Sequence, residues 1–139
     1  MTPIQYATEL LKKSGDTWEV PKPLLYGVTD AGEFQLLSSE IPDIYDAIEQ
    51  VTIPAFMVAF GVITTGWAAP LNPDGKAEGA PSQHPERRRV KLVSVINDNG
   101  AGSAMAFQDE PEDVITDEGS ATGSLAEAIN EAWENKATV

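Results

Sequence analysis

The sequence predicts an α+β fold, in which a single layer of mostly antiparallel sheet, about five strands, carries three helices. Two observations support this class. Apolar residues recur at helical spacing in three segments, and short runs rich in β-branched and aromatic residues lie between them, bounded by turn residues. The predicted order is α-β-β-α-β-β-β-α, within one globular domain covering residues 1–139.

The first three elements are a helix and a hairpin. Thr2 to Gln5 spells a capping box with proline at the first helical position, which predicts that a helix begins there. Gly15 is a natural end for it, because glycine accepts the backbone conformation that closes helices. Residues 24–28 and 33–37 are strand-like runs on either side of Asp30–Gly32, so they predict a hairpin.

The middle of the chain contains a second helix and the most apolar strand. Asp43 to Val51 has an amphipathic pattern, and Pro54 ends it. Residues 55–63 combine β-branched and aromatic side chains, which predicts a central strand buried on both faces. Residues 68–86 are rich in proline and glycine and predict a long loop.

The last third of the chain predicts a second hairpin and a last helix. Val90–Ile96 reads as a strand, and Asn99–Gly100 is a strong turn signal before a returning strand at 103–107. The segment 109–123 is predicted to be an acidic loop. Ser124–Glu127 is a capping box that opens the final helix.

Composition excludes several classes of protein. The chain has 139 residues, 22 acidic and 9 basic, with a formal net charge of −13 and no cysteine. Disulfides, thiolate nucleophiles and cysteine-based metal sites are therefore excluded. The negative charge opposes binding to nucleic acid or to an anionic membrane. With no signal-peptide pattern at the start and no apolar run near the ~20 residues that span a bilayer, we expect a cytoplasmic protein.

The basic residues are concentrated in one cluster. Arg87, Arg88, Arg89 and Lys91 are four of the nine in the chain. Strand alternation places Arg88 on one face and the other three on the opposite face. A stripe that binds phosphate or carboxylate groups is one interpretation. The interpretation we favour is internal pairing, because residues 98–139 hold ten acidic side chains and one lysine.

Trp67 and the single histidine are candidate binding residues, and Trp133 is a candidate core residue. Trp67 follows the apolar strand, where it either lines a partner surface or caps the core. Trp133 is predicted to anchor the last helix in the core. His84 is the only histidine, but its proline-rich loop has no nucleophile pattern, so we interpret it as a solvent-exposed loop residue.

No metal, cofactor or catalytic site is predicted. The acidic segments Asp109–Asp113 and Asp117–Gly119 lack the spacing of a calcium loop and are interpreted as solvated. Gly100 and Gly102 lack the lysine and hydroxyl residue of a phosphate-binding loop.

Two known architectures share this element order. One is the roadblock-type domain, a dimerising scaffold, and the other is the JAB/MPN-type domain, whose active members are zinc isopeptidases. Gly66 and Trp67 resemble the glycine and tryptophan that precede the paired metal-binding histidines of the second family. Ala68 and Ala69 stand here in place of histidines, so the resemblance implies no metal site.

The sequence therefore predicts a non-catalytic protein-interaction or scaffold module. Its partner is another protein or a second copy of the chain. The alternative is an acidic inhibitor or nucleic-acid mimic that occupies a basic partner protein, and a hydrolase using His84 is a third hypothesis with less support. The expected binding residues are Trp67, His84, Arg87, Arg88, Arg89 and Lys91.

Overall fold

A computed structural model describes residues 2–15, 18–19, 22–38, 40–68, 86–118 and 124–136. The predicted element order is confirmed, with one strand added before the last helix. The elements are α1 (Pro3–Lys13), β1 (Leu24–Val28), β2 (Phe34–Ser38), α2 (Ile44–Gln50), β3 (Ala59–Ala68), β4 (Arg88–Asn97), β5 (Gly100–Phe107), β6 (Glu110–Glu118) and α3 (Ser124–Glu134).

The strands form one antiparallel sheet in the order β2-β1-β3-β4-β5-β6. It has six strands instead of about five, because Glu110–Glu118 is a strand and not part of an acidic loop. Val114 packs against the core while the acidic side chains around it face water. At the edge of a sheet a strand can keep many charges solvated, so a high charge density did not prevent pairing with β5. Residues 119–123, the remainder of the predicted loop, lie outside the described ranges.

Two hydrophobic cores lie on opposite faces of the sheet. On one face α1 buries Tyr6, Ala7, Leu10 and Leu11 against the sheet. On the other face α2 and α3 pack together and cover a second cluster. Helices therefore cover both faces of the predicted single sheet, and the central strands are buried on both sides.

Local signals account for both ends of α1. The Oγ1 atom of Thr2 accepts a hydrogen bond from the Gln5 amide at 3.2 Å, and the Gln5 side chain accepts one from the Thr2 amide at 2.8 Å. This is the predicted capping box. At the other end Gly15 has φ of +58°, the left-handed conformation that closes helices.

Strand β3 begins later than the sequence predicted and runs further. Residues 54–57 form a turn in which the Met57 amide donates to the Pro54 carbonyl. Met57 is thereby placed against Gly27, where a Cβ atom would lie 2.7 Å from the Met57 sulfur. The turn displaces the start of the strand from residue 55 to Ala59, and the strand continues to Ala68. Residues 59–63 are buried, which confirms a central strand covered on both faces.

The β4–β5 turn is shifted by one residue from the predicted Asn99–Gly100 pair. Asn97 pairs with Gly100, so Asp98 and Asn99 form the turn. Gly100 has φ of +140°, and within the described ranges no residue other than glycine has positive φ. The Asn97 side chain accepts from the Asn99 amide at 2.8 Å, and this hydrogen bond supports the turn without a left-handed asparagine.

The two later helices lie where the sequence placed them. Asp43 caps α2 by accepting from the Tyr45 and Asp46 amides, each at 3.0 Å. Trp133 is buried in the second core, as predicted, and its Nε1 atom donates to Asp98 at 3.0 Å. None of the helices in the described part of the chain has the length and apolar character needed to cross a membrane.

Candidate interaction surface

The β3–β4 register brings the predicted tryptophan and arginines together. Trp67 is opposite Arg89, and Thr65 is opposite Lys91. Residues directly opposite one another in an antiparallel pair point to the same face. Trp67, Arg89 and Lys91 therefore lie on the α1 face of the sheet, with Arg87 two residues further along, as strand alternation predicted.

Two guanidinium groups contact the ring of Trp67. The Cζ atom of Arg87 is 4.9 Å from the centre of the Trp67 ring, and that of Arg89 is 4.8 Å away. Both distances are within the range of a cation–π contact. Trp67 is 37% exposed, so part of it remains available for contact. We call Trp67, Arg87 and Arg89 the Arg–Trp surface.

Arg89 is held in place by groups from two other parts of the chain. Its Nε atom donates to the main-chain carbonyl of Trp18 at 2.7 Å, and Nη2 is 3.4 Å from the Thr65 hydroxyl. These contacts orient the guanidinium over Trp67 before any partner arrives. A side chain that is already ordered loses little conformational entropy on binding.

Lys91 belongs to the interior and not to the exposed part of this surface. It is 1% exposed. Its Nζ atom donates to the Ser14 hydroxyl at 2.7 Å and to the Gly15 carbonyl at 3.1 Å, and lies 4.6 Å from the centre of the Trp18 ring. Strand alternation placed Lys91 on the correct face, but α1 ends above it and encloses it.

Arg88 lies on the opposite face and makes the internal pairing that the sequence predicted. Its Nε and Nη2 atoms donate to the Asp109 carboxylate at 2.9 and 2.7 Å, and Nη2 also contacts Glu110 at 3.0 Å. The guanidinium lies 3.8 Å from the centre of the Phe107 ring. Hydrogen bonds from Arg88 lower the pKa of Asp109 below its usual value. The side-chain hydrogen bond with Asp109 raises the pKa of Arg88.

The predicted site residues are therefore divided among three environments. Arg87 and Arg89 contact Trp67, Lys91 is buried, and Arg88 is paired with acidic residues at the β5–β6 turn. His84 lies in the 69–85 segment, outside the described residues, as does most of the loop predicted at 68–86.

Two residues that support the surface were missed by the sequence reasoning. Thr65 is two positions before Trp67 on the same strand, so alternation places it on the same face. Trp18 supplies a carbonyl to Arg89 from 71 positions away, and no spacing signal connects the two. Only the packing of the segment after α1 reveals it.

In the described ranges no three histidine or carboxylate side chains are grouped in a way that could hold a metal ion. No protein-family model, curated protein or solved structure matches this chain.

Proposed function

We propose that this chain is a non-catalytic protein-interaction module of the cytoplasm, and that it holds another protein on the Arg–Trp surface. The observation that carries the proposal is the contact of Trp67 with both Arg87 and Arg89, whose Cζ atoms lie 4.9 and 4.8 Å from the ring centre. Tryptophan and arginine are the residue types that most often dominate binding energy at protein interfaces. The absence of cysteine is compatible with a reducing compartment.

The chemistry of the surface favours a partner segment that carries Asp or Glu side chains. Guanidinium groups donate paired hydrogen bonds to carboxylates. The surface is also basic in a chain whose net charge is −13, so an acidic partner would be attracted here and repelled elsewhere. Because Arg89 is held by Trp18 and Thr65, the partner would meet a partly preorganised site.

Affinity capture with the full chain tests this proposal. We expect proteins retained by the wild type to be lost with Trp67→Ala and with Arg87→Gln, and to be released as salt rises, because screening weakens charge pairing. Lys12→Gln is the matched control, since it removes the same charge from an exposed position on α1. Thermal unfolding of each variant verifies that it is folded. Retention that is insensitive to both Trp67 and Arg87 would overturn the proposal.

The second candidate, an acidic inhibitor or nucleic-acid mimic, is supported by β6. This strand exposes Asp113, Ile115 and Asp117 at the edge of the sheet. A basic protein would bind there and be lost with Asp113→Asn combined with Asp117→Asn, while Trp67→Ala would leave binding unchanged. The two candidates therefore predict opposite responses to the same set of variants.

A further inference from the structure

The two edges of the sheet differ sharply in character. Strand β6 contains five acidic residues and Pro111 within Glu110–Glu118. Its pairing with β5 is also interrupted between Met105 and Phe107. Charges, proline and irregular register are the features that keep an edge strand from pairing with another chain. The β6 edge is therefore protected against self-association.

Strand β2 has neither the charges nor the proline, although its pairing with β1 also shifts register between Leu25 and Tyr26. Phe34–Ser38, with the sequence FQLLS, contains no charged residue and no proline. Leu36 is 48% exposed. Within the described ranges, β1 is the strand that pairs with β2, and the other side of β2 faces outward.

The hydrogen-bonding pattern of the β1–β2 hairpin identifies which main-chain groups of β2 face outward. The Thr29 amide donates to the Glu33 carbonyl at 2.9 Å, so Thr29 and Glu33 form a hydrogen-bonded pair at the end of the hairpin. Hydrogen-bonded and non-hydrogen-bonded pairs alternate in an antiparallel ladder. The main-chain N–H and C=O groups of Phe34 and Leu36 therefore point away from β1 and are available to another strand.

We propose that a second copy of this chain pairs with β2 in an antiparallel two-fold contact centred on Leu36. Two copies that each carry a net charge of −13 repel one another over most of their surfaces. An edge strand without charge is where that repulsion is weakest. A two-fold contact is self-complementary, and here each Leu36 covers the other on the α1 face, where Tyr26 and Leu36 lie side by side.

This contact would not cover the Arg–Trp surface. Strands β1 and β3 separate β2 from Arg89 on β4, so both contacts can form at once. A five-residue edge is small beside the roughly 800 Å² per partner of a stable interface. We therefore expect a weak dimer that exchanges with monomer. Added salt should strengthen it by screening the repulsion, whereas salt should weaken capture of an acidic partner.

Sedimentation across a concentration series tests the dimer. The wild type should shift from monomer toward dimer as protein concentration rises. At high salt the dimer should form at a lower protein concentration. Leu36→Lys should abolish it by opposing two cations at the axis. Ile115→Lys is the matched control, since Ile115 is 45% exposed and Leu36 is 48% exposed, on opposite edges of one sheet. A monomer at millimolar concentration, or equal loss in both variants, would overturn the proposal.

Cross-linking tests the geometry directly, because the chain has no cysteine of its own. Directly opposite residues in antiparallel strands have Cβ atoms close enough for a disulfide after slight adjustment. Under mild oxidation Leu36→Cys should form a covalent dimer much faster than Ile115→Cys. Equal rates of cross-linking for the two variants would indicate that the disulfides form by random collision of two chains. That result would contradict pairing through β2. Neither result depends on the partner of the Arg–Trp surface.

Discussion

Lys91 donates from its Nζ atom to the Oγ atom of Ser14 at 2.7 Å, and this bond links strand β4 to the residue that ends α1. The same ammonium also donates to the Gly15 carbonyl at 3.1 Å. A cation at the C-terminal end of a helix faces the negative end of its dipole. A buried lysine thus anchors the end of the first helix to the sheet.

Replacing Lys91 with methionine keeps the length of the side chain and removes its donors. The Gly15 carbonyl and the half-buried Ser14 hydroxyl would then each lose a hydrogen-bond partner. We expect the free energy of unfolding to fall by about 1–3 kcal/mol. Urea denaturation measures the change. Lys12→Met, at an exposed position of α1, is expected to cost less than about 0.5 kcal/mol, and equal losses in the two variants would contradict the anchoring role.

The Arg88–Asp109 pair predicts a specific titration. Hydrogen bonds from Arg88, followed by its charge, hold the pKa of Asp109 below its usual value. Arg88→Gln should therefore raise the pKa of Asp109, and Arg87→Gln, on the other face, should leave it unchanged. Carboxyl chemical shifts followed by NMR across pH measure both. An Asp109 pKa that does not respond to Arg88→Gln would contradict the pairing.

The same pair sets the direction of a pH effect on stability. Because folding lowers the pKa of Asp109, the carboxylate contributes to stability at pH values above its unfolded pKa. That contribution should be lost as pH falls through the folded value. Denaturation of the wild type and of Arg88→Gln should therefore converge at low pH. A stability difference that stays constant with pH would argue against the pair as its source.

Gly102 predicts a steric cost at the contact between α1 and β5. A Cβ atom there would lie 2.8 Å from both the Cγ1 atom and the main-chain nitrogen of Ile4. Since a helix backbone cannot yield as a flexible side chain does, Gly102→Ala should lower the free energy of unfolding by about 1–3 kcal/mol. Gly66→Ala is the matched control, because a Cβ atom there meets nothing within 4 Å. Thermal unfolding should give a lower melting temperature for Gly102→Ala than for Gly66→Ala. Equal melting temperatures would contradict the close packing.

The elements that the sequence predicted well are those specified by neighbouring residues. The capping box at Thr2 and Gln5 needs only a few residues to form, and so does the hairpin turn that includes Gly32, where φ is +81°. The face alternation of Arg87 to Lys91 follows from strand geometry alone. The fold class was therefore accessible without a structure, and so was the pairing of part of the basic cluster with the acidic C-terminal region, although not the choice of Arg88 and Asp109.

The features that escaped prediction depend on distant contacts. The turn at residues 54–57 is accompanied by a close contact between Met57 and Gly27 on β1. The strand character of Glu110–Glu118 depends on pairing with β5, which outweighs the solvation of its charges. Burial of Lys91 required knowing that α1 ends over β4. In each case the deciding contact comes from a distant part of the chain.

Helix α1 precedes the strands that it covers in the order of synthesis. It packs on β4 and β5, and Ile4 lies against Gly102. An isolated helix of 11 residues is marginal in water. Its apolar face, with Leu10 and Leu11, therefore has no docking surface until most of the chain has left the ribosome. During synthesis the apolar face of α1 is therefore exposed and must be shielded from aggregation until β4 and β5 have formed.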